Sequence, residues 1–222
     1  MITTQDLTRI LYSSKFQDDL AELSLYAASM KQERPIVLLL AKYLWRKGHK
    51  VAPELKKCDL DVDGVLIEFK FHYDADVSGV CGEMQRLNVT LETLPQAIKD
   101  KILHPTWTAT PGIYKDIVEK KAGIFIWIIC ARDLSSLNGE DLKRVCISGY
   151  QEDFRKNFPY PSGEEIIEQA QNFLGELTIN RPCLFETLTI KTNVNAIVEN
   201  GEFPSTYHFI ICEFSHVRSL KC

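Results

Sequence analysis

The chain contains 222 residues, of which 45% are hydrophobic and 25% are charged, and its formal net charge is -4. This composition is typical of a globular protein and argues against a disordered chain. The longest unbroken apolar run, residues 124–131, is far shorter than the roughly 20 residues needed to cross a bilayer. A membrane protein and a basic nucleic-acid coat protein are therefore not expected, whereas the charge leaves an enzyme acting on DNA open.

The cysteines indicate a reducing compartment rather than a disulfide scaffold. There are seven of them, and no two have C-x-x-C spacing, so a structural zinc site is not expected. The first ten residues have neither the basic region nor the apolar region of a signal peptide. Together these features predict free thiols and a cytoplasmic location.

Apolar spacing, caps and turn residues predict one α/β domain over residues 1–222. In chain order, the predicted elements are helices within 1–31 and at 33–47, strands at 49–55, 57–62 and 65–72, helices at 82–103 and 113–121, a strand at 123–131, a helix at 164–177, and strands at 183–191, 194–199 and 206–214. Loops are predicted between the helices at 82–103 and 113–121, through Pro105, Pro111 and Gly112, and at 150–163. The apolar strand 123–131 is predicted to be central and covered on both faces.

The most informative segment is KKCDLDVDGVLIEFKFHYD, residues 57–74. The Asp63-Gly64 dipeptide between two alternating segments is a strong signal for a two-residue hairpin turn. Such a turn places Asp59 opposite Glu68, and strand alternation adds Lys70 to the same face. The opposite face is then entirely apolar, so it is predicted to enter the core.

Two opposed carboxylates repel each other, and one of them would take up a proton unless a cation lay between them. A divalent cation supplies that charge, and Mg²⁺ typically uses one or two carboxylates together with waters. A neighbouring lysine can orient the attacking water or stabilise charge developing on a phosphate. Hydrolysis of a phosphodiester needs these groups.

Asp59 followed after eight residues by Glu68-Phe69-Lys70 resembles the motif of the PD-(D/E)xK nuclease superfamily. The predicted order of elements over residues 33–131 is also similar to the core of that superfamily. The resemblance implies a restriction-endonuclease-like α/β core, with a central mixed β-sheet flanked by helices. Residues 132–222 would be a C-terminal elaboration that builds recognition or dimerisation surface.

The resemblance also assigns roles to individual residues. Asp59, Glu68 and the main-chain carbonyl of Phe69 would bind Mg²⁺, for which Mn²⁺ could substitute. Lys70 would be the catalytic lysine. Many members carry a glutamate on the first core helix, and Glu33 is the nearest candidate for this catalytic position.

Several assignments stay open at the level of sequence. Cys58 stands where the family often has proline, Glu54 competes with Glu33, and Asp61 and Asp63 are rivals of the preferred aspartate, the one that stands opposite the glutamate. In a purely structural interpretation, the hairpin face is solvated and its glutamate pairs with a nearby lysine at position 57 or 70.

The expected function is that of a Mg²⁺-dependent endodeoxyribonuclease, a type II restriction endonuclease or a relative. Its substrate would be double-stranded DNA, and cutting both strands predicts a homodimer with two active sites. Two alternatives remain. One is a non-catalytic module of the same fold that binds DNA or a protein partner, and the other is an unrelated α/β protein in which residues 57–72 form a structural hairpin.

Overall fold

A computed structural model describes most of the predicted core and part of the C-terminal region. The described residues are 2–26, 32–54, 58–73, 77, 90, 92–93, 96–97, 100, 109–120, 122–132, 163–179, 181, 183–198 and 201–214. The predicted helix at 82–103 and the predicted loop at 150–163 lie almost wholly outside them. Among the described helices, none combines the length and the apolar character required to span a membrane.

The described helices other than α4 begin and end close to where the sequence predicts. They are α1 (Thr4–Leu11), α2 (Ser14–Tyr26), α3 (Glu33–Arg46), α4 (Ala109–Tyr114), which continues as a π-helical turn (Lys115–Glu119), and α5 (Gly163–Leu177). Helix α3 ends at Arg46, and Gly48, two residues later, has a φ of 90°, a left-handed conformation that glycine adopts without steric cost.

Six strands form one mixed sheet. They are β1 (Val51–Pro53), β2 (Leu60–Val62), β3 (Val65–Tyr73), β4 (Ile124–Arg132), β5 (Cys183–Val198) and β6 (Gly201–Phe214). The strand order is β1-β2-β3-β4-β6-β5, and only the β3–β4 pair is parallel among these neighbours. The fold is therefore α/β with helices beside a mixed sheet, as the sequence predicts at this level.

The sheet has a hydrophobic cluster on each face. One cluster joins side chains of α1, α2 and α3 to Ile67, Phe69 and Phe71 of β3. The other joins Ile113, α5 and Trp127 of β4. Every residue of β4 from Ile124 to Cys130 is buried, so the prediction of a central strand covered on both faces is confirmed.

Several predicted boundaries are wrong. The strand predicted at 49–55 spans Val51–Pro53, and the strand predicted at 57–62 spans Leu60–Val62, so Asp59 precedes that strand. The loop predicted through Pro111 and Gly112 is helical, because α4 begins at Ala109, where a proline two residues later is tolerated in the first turn. The strands predicted at 183–191 and 194–199 form one strand with a register shift between Thr192 and Asn195. The last strand begins at Gly201 rather than at residue 206.

Candidate active site

The β2–β3 hairpin has the predicted turn and register. Asp63 and Gly64 both have positive φ angles, 54° and 85°, as a two-residue hairpin turn requires. Val62 pairs with Val65 and Leu60 pairs with Ile67. The side chains of these four strand residues belong to the core cluster on the α1–α3 face, so the predicted apolar face is confirmed.

Two carboxylates line the edge of β3 beyond the hairpin. The ladder with β2 ends at the Leu60–Ile67 pair. Beyond it, the Phe69 N–H donates to Asp59 Oδ2 at 2.8 Å, and the Phe71 N–H donates to Glu33 Oε2 at 2.8 Å. Because the N–H and C=O of one strand residue point to the same side, the Phe69 carbonyl also faces this edge.

Glu68 and Lys70 lie on the face of β3 that α4 and its π-helical turn cover. Glu68 is only 1% exposed, and its Oε2 accepts a hydrogen bond from Lys120 Nζ at 2.9 Å. Lys70 Nζ lies 2.7 Å from Asp116 Oδ2, and Lys120 Nζ lies 2.7 Å from Asp116 Oδ1. Two buried carboxylates and the ammonium groups of two partly buried lysines thus form a continuous network.

The solvated position predicted for Glu68 in the structural alternative is wrong. The structure buries Glu68 and pairs it with Lys120, while Lys57 lies outside the described residues. The cause is the π-helical turn after α4, whose Asp116 and Lys120 pair with Lys70 and Glu68.

Burial and neighbouring charges shift the pKa values of both predicted residues on β3. Burial, together with the negative charges of Asp116 and Asp59, raises the pKa of Glu68 to about 7, against the lowering effect of the hydrogen bond from Lys120. Burial acts to lower the pKa of Lys70, but the charges of Asp116, Glu33 and Asp59 outweigh it and leave that pKa raised. The charges of the carboxylates and of the lysine therefore shift one another's pKa values, which is common at functional sites.

The rival aspartates have structural roles at the turn. Asp61 Oδ1 accepts the Gly64 N–H at 2.9 Å. Asp63 accepts the Lys50 N–H at 3.0 Å and contacts His49 Nδ1 at 2.8 Å. These contacts favour Asp59 as the aspartate of the site.

The two candidate glutamates differ in their position relative to the edge of β3. Glu33, in the first turn of α3, reaches the edge of β3 through Phe71. The side chain of Glu54 is 64% exposed and forms an ion pair with Arg34 at 2.5 Å. Glu33 is therefore the better placed of the two.

A cavity of about 400 Å³ opens beside the carboxylates of the β3 edge. Its lining is formed by Glu33, Arg34, Val37, Leu38, Pro53, Glu54 and Asp59. The cavity gives a ligand access to the edge at which Asp59 and Glu33 lie.

The oxygen atoms of the predicted ligands can be compared with those that a divalent cation prefers. Within the described segments, no three or more His, Cys, Asp or Glu side chains group closely enough to hold a metal ion. The predicted ligand set is smaller, with two carboxylates and one carbonyl. Glu68 Oε1 is buried and has no hydrogen-bond partner among the described residues, which is costly for a carboxylate oxygen unless a cation or proton binds there. The oxygen donors thus fit a hard cation such as Mg²⁺.

Sequence reasoning missed Asp116 and Lys120. Their spacing of four in a predicted helix is a signal for one helix face, but nothing in the sequence places that face over β3. The pairing depends on a contact across about 50 residues of chain, which only the fold provides.

Comparison with protein-family models, with curated proteins and with solved structures gives no match to this chain. The similarity to the PD-(D/E)xK superfamily therefore rests on the motif and the order of elements alone.

Proposed function

We propose that this chain is a Mg²⁺-dependent endonuclease that hydrolyses phosphodiester bonds in DNA. The observation that carries the proposal is the buried carboxylate of Glu68, whose Oε1 has no hydrogen-bond partner in the described part of the chain. Asp59 lies near enough to raise the pKa of Glu68, and Lys70 follows on the same face of β3. Hydrolysis of a phosphodiester uses carboxylate oxygens to bind the metal ion and an ammonium group to stabilise negative charge on the phosphate.

Each residue has a role that follows from its position. Asp59, Glu68 and the Phe69 carbonyl would hold Mg²⁺, which when bound supplies a Lewis acid for the phosphoryl oxygen and for water. The raised pKa of Lys70 keeps its ammonium group protonated, so Lys70 can donate to phosphoryl oxygens as their negative charge develops. Glu33 fixes the start of α3 against the edge of β3 through the Phe71 N–H.

The substrate class comes from the resemblance. DNA as the substrate, a type II restriction endonuclease or a relative as the enzyme class, and a homodimer as the assembly are the properties that the PD-(D/E)xK motif implies. A homodimer would supply one active site to each strand.

Plasmid cleavage tests the proposal. We expect the wild-type chain to nick or linearise plasmid DNA with Mg²⁺ or Mn²⁺ and to stop when EDTA is added. Lys70→Met keeps much of the side-chain volume but removes the charge, so it should lower cleavage by at least about 100-fold and retain most DNA binding. Lys47→Met, at the exposed end of α3, is the matched control and should cleave normally.

Two results would count against the proposal. Cleavage that persists at full rate in Lys70→Met would remove the lysine from the reaction. Metal-independent DNA binding without cleavage by the wild-type chain would favour the non-catalytic module instead.

A further inference from the structure

One helical segment, defined here as residues 109–120, contributes three residues to the side of the site formed by Glu68 and Lys70. Gly112, Asp116 and Lys120 follow one another at intervals of four, a spacing that places side chains on one helix face. The second half of the segment is π-helical, with the Lys120 N–H bonded to the Lys115 carbonyl at 2.8 Å. Single π-helical turns occur frequently at functional sites.

Gly112 makes room for the stem of the lysine. A Cβ atom at position 112 would lie 3.2 Å from Lys70 Cε, which is closer than side chains normally approach. The stem of Lys70 therefore passes over bare backbone. Any larger residue at position 112 would displace the end of the lysine by a few tenths of an ångström.

Asp116 receives the end of the same lysine. Its carboxylate is 2% exposed and lies between two ammonium groups, 2.7 Å from Lys70 on one oxygen and 2.7 Å from Lys120 on the other. Within the described segments, Asp116 Oδ2 has no hydrogen bond of regular geometry, so the short contact with Lys70 is what balances the charge on that oxygen.

Lys120 completes the arrangement by bonding one oxygen of Glu68. Its Nζ contacts Glu68 Oε2, while Glu68 Oε1 has no hydrogen-bond partner among the described residues. The contact fixes the carboxylate through one oxygen and leaves the other for a ligand.

The segment is held firmly against the sheet. Ile113 and Ile117 are fully buried in the cluster around Trp127. Arg181 donates to the Ile117 carbonyl at 2.6 Å and also to the Ala122 carbonyl, so it fixes the end of the segment. A rigid support is what a positioning role needs.

We infer that Gly112, Asp116 and Lys120 are positioning residues that fix the Lys70 ammonium group and the Glu68 carboxylate for the reaction. A buried charge network contributes little net stability, because desolvation of the ions offsets their attraction. The network therefore acts on the geometry of the site more than on the stability of the fold. This inference rests on the proposed function, and its tests separate the two.

The first test uses Gly112→Ala. Alanine favours a helix over glycine, so the melting temperature should stay equal or rise. The new Cβ should displace Lys70 and lower the single-turnover cleavage rate by about tenfold, with the KM for plasmid DNA unchanged. Gly175→Ala in α5, where a Cβ meets no atom within 4 Å, is the matched control and should cleave at the wild-type rate. An unchanged rate in Gly112→Ala would overturn the inference.

The second test does not need cleavage. Wild-type protein and Asp116→Asn are treated with N-hydroxysuccinimidyl acetate in EDTA, and acetylation of each lysine is followed by mass spectrometry. Loss of the carboxylate should free the Lys70 amine and speed its acetylation several-fold, while the exposed Lys15 and Lys47 react as in the wild type. Equal acetylation of Lys70 in both proteins would overturn the inference.

The two tests distinguish failure of the proposed function from failure of the positioning role. If the wild-type chain cleaves no DNA with Mg²⁺ or Mn²⁺, the proposed function fails and acetylation of Lys70 alone decides the positioning role. If the wild-type chain cleaves DNA and Gly112→Ala cleaves equally fast, the proposed function stands and the positioning role fails.

Discussion

A carboxylate that is 1% exposed, with one oxygen lacking a hydrogen bond among the described residues, is the most unusual single residue of the candidate site. Glu68 lies on a strand whose alternate residues enter the core, so a hydrophobic residue would fit there at no electrostatic cost. Lys120 donates a hydrogen bond to only one of the two carboxylate oxygens of Glu68. Such a residue lowers the stability of the fold, and the proposed metal site would account for its presence.

The raised pKa of Glu68 gives a pH dependence of stability. Burial raises this pKa from 4.5 to about 7, so the folded protein binds the proton more tightly than the unfolded chain does. The contribution of the residue to stability is therefore largest below pH 4.5 and declines as the pH rises to about 7.

We expect the free energy of unfolding of the wild type to fall relative to that of Glu68→Gln across this range, by about 3 kcal/mol at most. Urea unfolding of both proteins in EDTA, from acid to neutral pH, measures the difference. Parallel curves would show that Glu68 titrates normally.

Asp59 and Asp61 offer a matched pair of substitutions. Each carboxylate accepts a backbone N–H, from Phe69 and Gly64 respectively, and asparagine can accept the same bond. Asp59→Asn therefore removes a charge from the site while leaving the fold intact, and it should lower cleavage by about 100-fold. Asp61→Asn should leave cleavage within about threefold of the wild type, because its carboxylate serves the turn. Single-turnover rates decide, and the reverse order would show that the wrong aspartate is assigned.

At the scale of single residues, the sequence predicts contacts within one hairpin. The Leu60–Ile67 and Val62–Val65 pairs could be predicted because a two-residue turn fixes which residues oppose each other. The ladder ends before Asp59, so its position opposite Glu68 stays a prediction. The contacts of Asp116 and Lys120 could not be predicted, since their partners lie about 50 positions earlier in the chain. Charged residues at helical spacing are common on solvated faces, so the spacing alone carries no information about burial.

The elements of the site differ in how they are held. The hairpin is fixed by its own turn, by Asp61 and by Asp63. The helical segment 109–120 depends on tertiary contacts, because α4 has six residues and isolated helices of that length are not stable. Arg181 supplies one of these contacts, and its guanidinium carbon also lies 4.0 Å from the Phe214 ring centroid.

Arg181→Met tests how strongly the segment depends on that anchor. Two carbonyls, of Ile117 and Ala122, lose their donor, so the free energy of unfolding should fall by about 2 kcal/mol. Cleavage should fall as well, because the segment that carries Asp116 loosens. Urea unfolding and single-turnover cleavage measure the two effects. Wild-type values for both would mean that the segment is held by its apolar contacts alone.

Element boundaries show the same division between local and tertiary causes. The end of helix α3 and the turn of the hairpin could be predicted, because Gly48 follows the helix and Gly64 lies in the turn, both with positive φ. The start of α4 could not, because Pro111 and Gly112 disfavour a helix locally, whereas packing of Ile113 and Ile117 on the sheet favours it.

On the scale of the whole molecule, the sheet separates two kinds of surface on β3. Odd-numbered residues from Val65 to Tyr73 enter the cluster beneath α1, α2 and α3. Glu68 and Lys70 face the helical segment 109–120, where Glu68 contacts Lys120 and Lys70 contacts Asp116. The site thus lies at the end of the hairpin ladder, between the edge of β3 and the helical layer on the second face.

The α/β class and the central position of β4 could be predicted from hydrophobic patterning. The parallel β3–β4 pair and the antiparallel β4–β6 pair could not, because patterning reports burial and not the partner of a strand. A restriction-endonuclease-like core accordingly remains a prediction from the motif, while the mixed sheet flanked by helices is what the structure shows.

In the proposed site, Asp59 and Glu68 bind a divalent cation. With all six groups ionised, Glu33, Asp59, Glu68 and Asp116 exceed Lys70 and Lys120 by two negative charges, which one Mg²⁺ or Mn²⁺ would balance. Electron paramagnetic resonance of free Mn²⁺, titrated with the full chain in the absence of DNA, measures this binding directly. We expect saturable binding to the wild type that weakens at least about tenfold in Glu68→Gln and remains unchanged in Glu54→Gln. Equal Mn²⁺ affinity in the wild type and Glu68→Gln would contradict the proposed site.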